Sequence, residues 1–120
     1  MPAAGTILIV DDDRDLLSAL RDLPDAAGWT VVAAPSADAA LAAAKAHRVD
    51  VILTDILMPG TDGPAFSAML RADAALASIP VLFMTGSLRH ARALEGEVVI
   101  SKPFDVSRLL DLLGTKLPTR

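Results

Sequence analysis

Two patterns of hydrophobic and polar residues alternate along the chain. Short, nearly continuous runs of aliphatic residues indicate strands that are buried on both faces, and the stretches between them carry apolar residues at helical spacing. This alternation predicts an α/β domain with an open, doubly wound, five-stranded parallel sheet built from βα units. The five predicted strands are Ile7–Val10, Val31–Ala34, Val51–Leu53, Val81–Met84 and Val98–Ile100.

Two of the helical stretches begin after residues that can cap a helix. Ser36 precedes a stretch in which the apolar residues recur at helical spacing, namely Ala37, Ala40, Leu41 and Ala44. Asp105 precedes a second such stretch, with Val106, Leu109, Leu110 and Leu113 on one face. The first helix should run within Leu16–Ala27, where Pro24 predicts a kink or an early end, and Gly28 would close the segment.

The size and charge of the chain limit the kinds of protein to which it can belong. A length of 120 residues predicts one domain with a core of its own. The net charge of −4 provides no basic surface, so we expect neither a nucleic acid nor a membrane as partner. The chain has no cysteine, and residues 1–6 lack the charged start of a signal peptide. We therefore expect a cytoplasmic protein.

Acidic residues follow two of the predicted strands. Asp11, Asp12 and Asp13 come directly after the first strand, and Asp55 closes the third. In an open α/β sheet, ligands bind at the carboxyl ends of the strands, where the strand order reverses. If the first and third strands are neighbours there, the carboxylates converge and repel one another unless a cation binds them. Mg²⁺ is the cation that this oxygen-rich site predicts.

Not every acid in this group needs a metal to explain it. A carboxylate just before a helix often caps its first turn, and this interpretation suffices for Asp13. It is weaker for Asp11, Asp12 and Asp55 together, because they follow two separate strands.

Hydroxyl and cationic groups follow the last two predicted strands. Thr85 and Gly86 end the fourth strand, and Ser101 and Lys102 end the fifth. A hydroxyl, a glycine amide and an ammonium group on the same sheet edge as a metal ion are the components of a phosphoryl-transfer site. Each residue alone is weak evidence, and the set is stronger.

These motifs resemble the receiver domain of two-component response regulators. The similarity rests on Asp11-Asp12, on Asp55 within Leu53–Gly63, on Thr85-Gly86 and on Lys102-Pro103-Phe104, and it covers essentially the whole chain. It implies a flavodoxin-like fold with strand order 2-1-3-4-5, and one receiver domain over residues 1–120 without an output domain. It also implies phosphorelay signalling, with a sensor histidine kinase or a histidine phosphotransfer protein as donor and an unidentified protein as target.

The resemblance assigns roles to individual residues. Asp55 would be the phosphoacceptor. Asp12 and Asp55 would bind Mg²⁺ directly, together with the backbone carbonyl of Leu57. Asp11 would act mainly through a metal-bound water molecule.

By the same resemblance, Thr85 and Lys102 would hold oxygens of the phosphorylated Asp55. A carboxylate and a phosphoryl group repel each other because both are negative, and Mg²⁺ and a lysine neutralise that charge. The chain is therefore expected to be a phosphoacceptor switch that catalyses only its own phosphorylation and dephosphorylation, and not an enzyme in the usual sense.

The chain departs from the family at the position that usually reports phosphorylation. Members often carry an aromatic residue three positions before the lysine, and here that residue is Val99. The chain has no tyrosine. The usual aromatic switch therefore cannot operate in its ordinary form. The stretch from Ser87 to Glu97 also has weak helical periodicity.

Two other functions share part of this pattern. Asp11 and Asp13 match the D-x-D opening of phosphatases of the haloacid dehalogenase type, in which Asp11 would carry the phosphoryl group. Those enzymes prefer threonine or valine where this chain has Asp15. A dinucleotide-binding module is disfavoured, because no glycine fingerprint follows any strand. His47 and His90 are expected to be solvated, and neither is expected to bind metal.

Overall fold

The predicted strands pair into one sheet. The computed structural model describes residues 5–21, 29–58, 60–85 and 99–101. The strands within these residues are β1 (Gly5–Val10), β2 (Trp29–Ala34), β3 (Val51–Asp55), β4 (Val81–Thr85) and β5 (Val99–Ser101). The helices are α1 (Arg14–Arg21), α2 (Ala37–Ala46) and α3 (Gly63–Arg71).

The strand order confirms the predicted topology. All neighbouring strands are parallel, and their order is β2-β1-β3-β4-β5. The chain moves from β1 outward to β2 and then returns to β3 on the other side of β1. Because parallel crossovers are right-handed, this reversal places helices on opposite faces of the sheet. The carboxyl ends of β1 and β3 therefore flank the position at which sheets of this class bind ligands.

All five strands extend beyond the apolar runs that predicted them, and the first and fourth do so at Gly5 and at Thr85. β2 begins at Trp29, β3 continues through Thr54 to Asp55, and β5 runs to Ser101. Thr54 is opposite Val10 on one side and Phe83 on the other, so the ladder continues where the side chains become polar.

The core lies on both faces of β1. All four residues of Ile7–Val10 are buried, as expected for a strand covered on both sides. Leu8 and Val10 belong to a cluster that includes Phe66 of α3 and Phe83 of β4. This packing holds α2 and α3 against one face of the sheet and places the start of α3 beside the end of β3.

The predicted second helix is confirmed in its cap and in its buried face. The backbone amide of Ala39 donates to the Ser36 hydroxyl at 3.2 Å. The predicted apolar positions face the core, with Ala37, Ala40 and Ala44 buried and Leu41 half-buried.

Three expectations lie outside the described residues. They are the effect of Pro24 on the first helix, the closing role of Gly28 and the helix predicted to begin after Asp105.

Candidate functional site

The ends of β1 and β3 bring the predicted carboxylates together. Val10 is opposite Thr54 in the ladder between these two neighbouring strands. The next residues along the two strands, Asp11 and Asp55, therefore lie side by side at the same edge of the sheet. The predicted site required β1 and β3 to be neighbours in the sheet, and they are.

Three carboxylates form the centre of the site. Asp11, Asp12 and Asp55 each present an oxygen atom, and these atoms all lie within 4.8 Å of one another. Asp11 is only 1% exposed and Asp55 only 8%, whereas Asp12 is exposed. The cluster therefore has two buried acids and one exposed acid. An ion from solvent can reach it on the side of the exposed acid.

The loop between β1 and α1 gives Asp13 a different role. Its carboxylate accepts a hydrogen bond from the backbone amide of Asp15 at 3.0 Å, and its carbonyl accepts from the amide of Leu17 at 3.1 Å. These bonds satisfy backbone groups of the first turn of α1. The capping interpretation of Asp13 is confirmed.

Thr85 ends β4 at the same edge of the sheet. It is buried, and it is opposite Ser101 in the ladder between β4 and β5. Asp55 is opposite Met84 in the adjoining ladder, so Thr85 lies one residue beyond the level of Asp55. The sequence also predicts Gly86 and Lys102–Phe104 at this site, and they lie outside the described residues.

The segment after Asp55 turns sharply before α3 begins. Leu57 is 53% exposed, whereas Met58 beside it is buried. Gly60 has a φ of 78°, which side chains with a Cβ atom rarely adopt. The backbone conformation of the loop at this residue therefore favours glycine.

The start of α3 packs against the backbone of β3. The amide of Gly63 donates to the carbonyl of Ile56 at 2.9 Å. A Cβ atom at Gly63 would overlap the carbonyl oxygen of Asp55 and lie 3.1 Å from the Cα atom of Ile56. The Asp62 carboxylate caps the helix by accepting the amide of Ala65 at 2.9 Å.

No sequence prediction covered the start of α3. The run Asp62-Gly63-Pro64 does carry a signal for a helix start, because aspartate is a good N-cap and proline is tolerated in the first turn. The close approach of Gly63 to Asp55 has no such signal, since it depends on how α3 crosses the sheet.

Two histidines remain from the sequence analysis, and the structure describes one of them. His47 is exposed at the end of α2, where its amide donates to the carbonyl of Ala43 at 2.9 Å, as expected of a solvated histidine. His90 lies outside the described residues. Within the ranges that the structure describes, no helix is both long and apolar enough to span a bilayer.

Comparison with known proteins identifies the group that this arrangement resembles. The family model described as response regulator receiver domain matches residues 7–114. The transcriptional regulatory protein DctD of Rhizobium meliloti is 36% identical over 92% of the chain, which spans 25% of DctD. The polar-differentiation response regulator DivK of Brucella anthropi is 32% identical, and the match covers 93% of the chain and 95% of DivK.

Solved structures show the same likeness. The chemotaxis protein CheY4 of Vibrio cholerae superposes with a TM-score of 0.79 at 28% identity, over 98% of this chain and 100% of CheY4. The chain thus matches nearly the full length of DivK and of the CheY4 chain, but spans only about a quarter of DctD.

Proposed function

The chain belongs to the response regulator receiver domain family, and from this premise we propose that it accepts a phosphoryl group on the carboxylate of Asp55 in a Mg²⁺-dependent reaction. Receiver domains are phosphoacceptor switches of phosphorelay signalling. The observation that carries the assignment is the cluster of carboxylate oxygens of Asp11, Asp12 and Asp55 within 4.8 Å at the carboxyl ends of two central strands.

The three aspartates fit a magnesium ion. All the ligand atoms are carboxylate oxygens within 4.8 Å of one another, and together they would hold one small, hard cation. We assign direct contacts to Asp12, Asp55 and the carbonyl of Leu57, and a contact through water to Asp11. When bound, the ion supplies positive charge that offsets the repulsion between the acceptor and the incoming phosphoryl group.

The acceptor step places the new bond on Asp55. A carboxylate oxygen of Asp55 attacks the phosphorus atom of the donor in line with the bond that breaks. When the donor is a phosphohistidine, the nitrogen–phosphorus bond breaks and its electron pair stays on the imidazole nitrogen. The product is an aspartyl phosphate, which water later hydrolyses to inorganic phosphate and the free carboxylate of Asp55.

Thr85 and Lys102 are proposed to bind the phosphoryl oxygens of the product. Thr85 is buried at the end of β4, within the same sheet edge as Asp55. Lys102 directly follows Ser101, which is opposite Thr85 in the ladder. A hydroxyl and an ammonium group there would stabilise negative charge that develops during the transfer.

The donor and the target are proposed by class. A sensor histidine kinase or a histidine phosphotransfer protein would supply the phosphoryl group, and the output would pass through contacts with another, unidentified protein. We propose that residues 1–120 form one receiver domain, that it is cytoplasmic and that its partners include neither nucleic acid nor membrane. The absence of an output domain from these residues stays a prediction. Nothing supports the phosphatase alternative with Asp11 as nucleophile.

The test is to identify the residue that becomes phosphorylated. The protein is incubated with acetyl phosphate and Mg²⁺, the acyl phosphate is reduced with borohydride, and the modified peptide is located by mass spectrometry. Modification of Asp55 is expected, and chelation of Mg²⁺ with EDTA should suppress it. Modification of Asp11 instead would support the phosphatase chemistry and contradict the proposed function.

A further inference from the structure

The backbone that follows the acceptor is held from several directions. The amide of Ile56 donates to the carbonyl of Met84 at 3.1 Å, which extends the ladder between β3 and β4. The Thr54 hydroxyl donates to the carbonyl of Asp55 at 3.1 Å. On the remaining side, the amide of Gly63 donates to the carbonyl of Ile56 at 2.9 Å. Two neighbouring elements, β4 and α3, together with the adjoining Thr54 side chain, therefore determine the path of two consecutive peptide units.

This path determines the direction of two proposed metal ligands. The Asp55 side chain projects from the first residue of this hydrogen-bonded segment. Leu57, whose carbonyl is the second proposed ligand, directly follows Ile56. A metal ion requires its ligands at distances within a few tenths of an ångström. Small shifts of the Asp55–Ile56 backbone would therefore move both ligands relative to Asp11 and Asp12.

We propose that Gly63 is a positioning residue for this metal and phosphoacceptor site. Its lack of a side chain lets the first turn of α3 press against the carbonyl of Asp55, and its amide holds the carbonyl of Ile56. The assignment rests on the proposed function. It goes further by giving a role in the reaction to a residue that contacts neither the metal nor the phosphoryl group.

A side chain at position 63 would have to displace backbone. Its Cβ atom would overlap the carbonyl oxygen of Asp55 and lie 3.1 Å from the Cα atom of Ile56, and neither is the end of a flexible side chain. α3 is anchored by Phe66 and Leu70, which are fully buried, and β3 is a central strand. Because neither element can shift freely in a close-packed core, the displacement falls on the short connection that carries Leu57.

Gly60 offers a matched control in the same loop. Its φ of 78° makes a Cβ atom unfavourable, but nothing lies within 4 Å of the place that this atom would occupy. Gly60→Ala therefore stresses the loop through its backbone conformation alone. Gly63→Ala stresses it through contact with the acceptor backbone.

The first experiment compares these two variants by the Mg²⁺ dissociation constant, measured calorimetrically, and by the rate of labelling with acetyl phosphate at saturating Mg²⁺. Gly63→Ala is expected to weaken Mg²⁺ binding by about tenfold or more, as loss of a residue that orients metal ligands commonly does. It should also slow labelling by acetyl phosphate. Gly60→Ala should keep both values within about twofold. A folded Gly63→Ala protein with unchanged Mg²⁺ affinity would overturn the assignment.

A second measurement on the unaltered protein decides the matter if Gly63→Ala does not fold. Because coupling between two events is reciprocal, Mg²⁺ that binds through Leu57 should stabilise the hydrogen bond from Gly63 to Ile56. Addition of Mg²⁺ should slow hydrogen exchange at the Gly63 amide. The Ala39 amide, which is bonded to the cap of α2, should be unaffected. Unchanged exchange at Gly63 under saturating Mg²⁺ would refute the positioning role.

The variant Asp12→Ala separates failure of this assignment from failure of the proposed function. If Asp12→Ala keeps normal Mg²⁺ affinity and labelling, the proposed site itself is wrong. If Asp12→Ala loses both while Gly63→Ala loses neither, the site is right and only the positioning role of Gly63 is refuted.

Discussion

The carboxylate of Asp11 accepts a hydrogen bond from the backbone amide of Asp13, with a nitrogen–oxygen distance of 2.9 Å. The carboxylate of Asp13 in turn accepts from the amide of Asp15 at 3.0 Å. These two short-range bonds shape the loop between β1 and α1. Asp12 lies between them, is exposed, and makes no side-chain hydrogen bond within the part of the chain that the structure describes. Three consecutive acids thus serve different purposes.

This division of roles predicts opposite phenotypes for two adjacent substitutions. Asp12→Ala should abolish Mg²⁺-dependent labelling by acetyl phosphate and leave the free energy of unfolding in EDTA unchanged or slightly higher, because one of three crowded charges is removed. Asp13→Ala should lower the free energy of unfolding by about 1 kcal/mol through loss of the cap and keep the labelling. Labelling assays and urea unfolding in EDTA measure the two effects.

The two variants also act as controls for each other. Normal labelling of Asp12→Ala would show that Asp12 is not a ligand of the metal. Loss of labelling in Asp13→Ala without any loss of stability would show that Asp13 does more than cap α1.

Replacement of the acceptor should separate folding from metal binding. In EDTA, Asp55→Asn is expected to be at least as stable as the unaltered protein, because Asp55 is 8% exposed and lies beside two other carboxylates. With excess Mg²⁺ the order should reverse, since a ligand that binds more tightly stabilises the folded protein more. Urea unfolding with and without Mg²⁺ tests both halves of this prediction.

The same variant should accept no phosphoryl group. A loss of more than about 1 kcal/mol in EDTA would contradict the expected relief of repulsion. An identical response of both proteins to Mg²⁺ would show that Asp55 does not bind the ion.

The fold and the centre of the site were predictable because both follow from short-range patterns. Apolar runs buried on both faces indicate a parallel sheet, and the acids directly after Val10 and Thr54 must meet if β1 and β3 are neighbours. The cap at Asp13 is equally local, since it depends on the first turn of α1 alone.

The contact between Gly63 and Asp55 could not be predicted in this way. It depends on the path by which α3 returns across the sheet, and this path is determined by the packing of Phe66 and Leu70 in the core. The predicted end of β3 was too early, because it was judged from side-chain polarity alone. Thr54 and Asp55 are polar, yet they stay in the ladder because partners on β4 continue beside them.

The last prediction concerns how phosphorylation is reported. Val99 occupies the position where related proteins often carry an aromatic residue, so burial of a ring cannot report the event. The hydroxyl of buried Thr85 can report it instead, because new phosphoryl oxygens on Asp55 would attract it toward the end of β3. The chain that leaves β4 directly after Thr85 should then respond.

Hydrogen exchange with and without the phosphoryl mimic beryllofluoride tests this prediction. Protection should rise over residues 86–97 more than in α2 around Leu41. Thr85→Val should still be labelled by acetyl phosphate but should lose most of this difference, whereas Thr85→Ser, which keeps the hydroxyl, should retain it. A uniform change along the chain, no change at all, or the full difference in Thr85→Val would show that the signal leaves the site by another route.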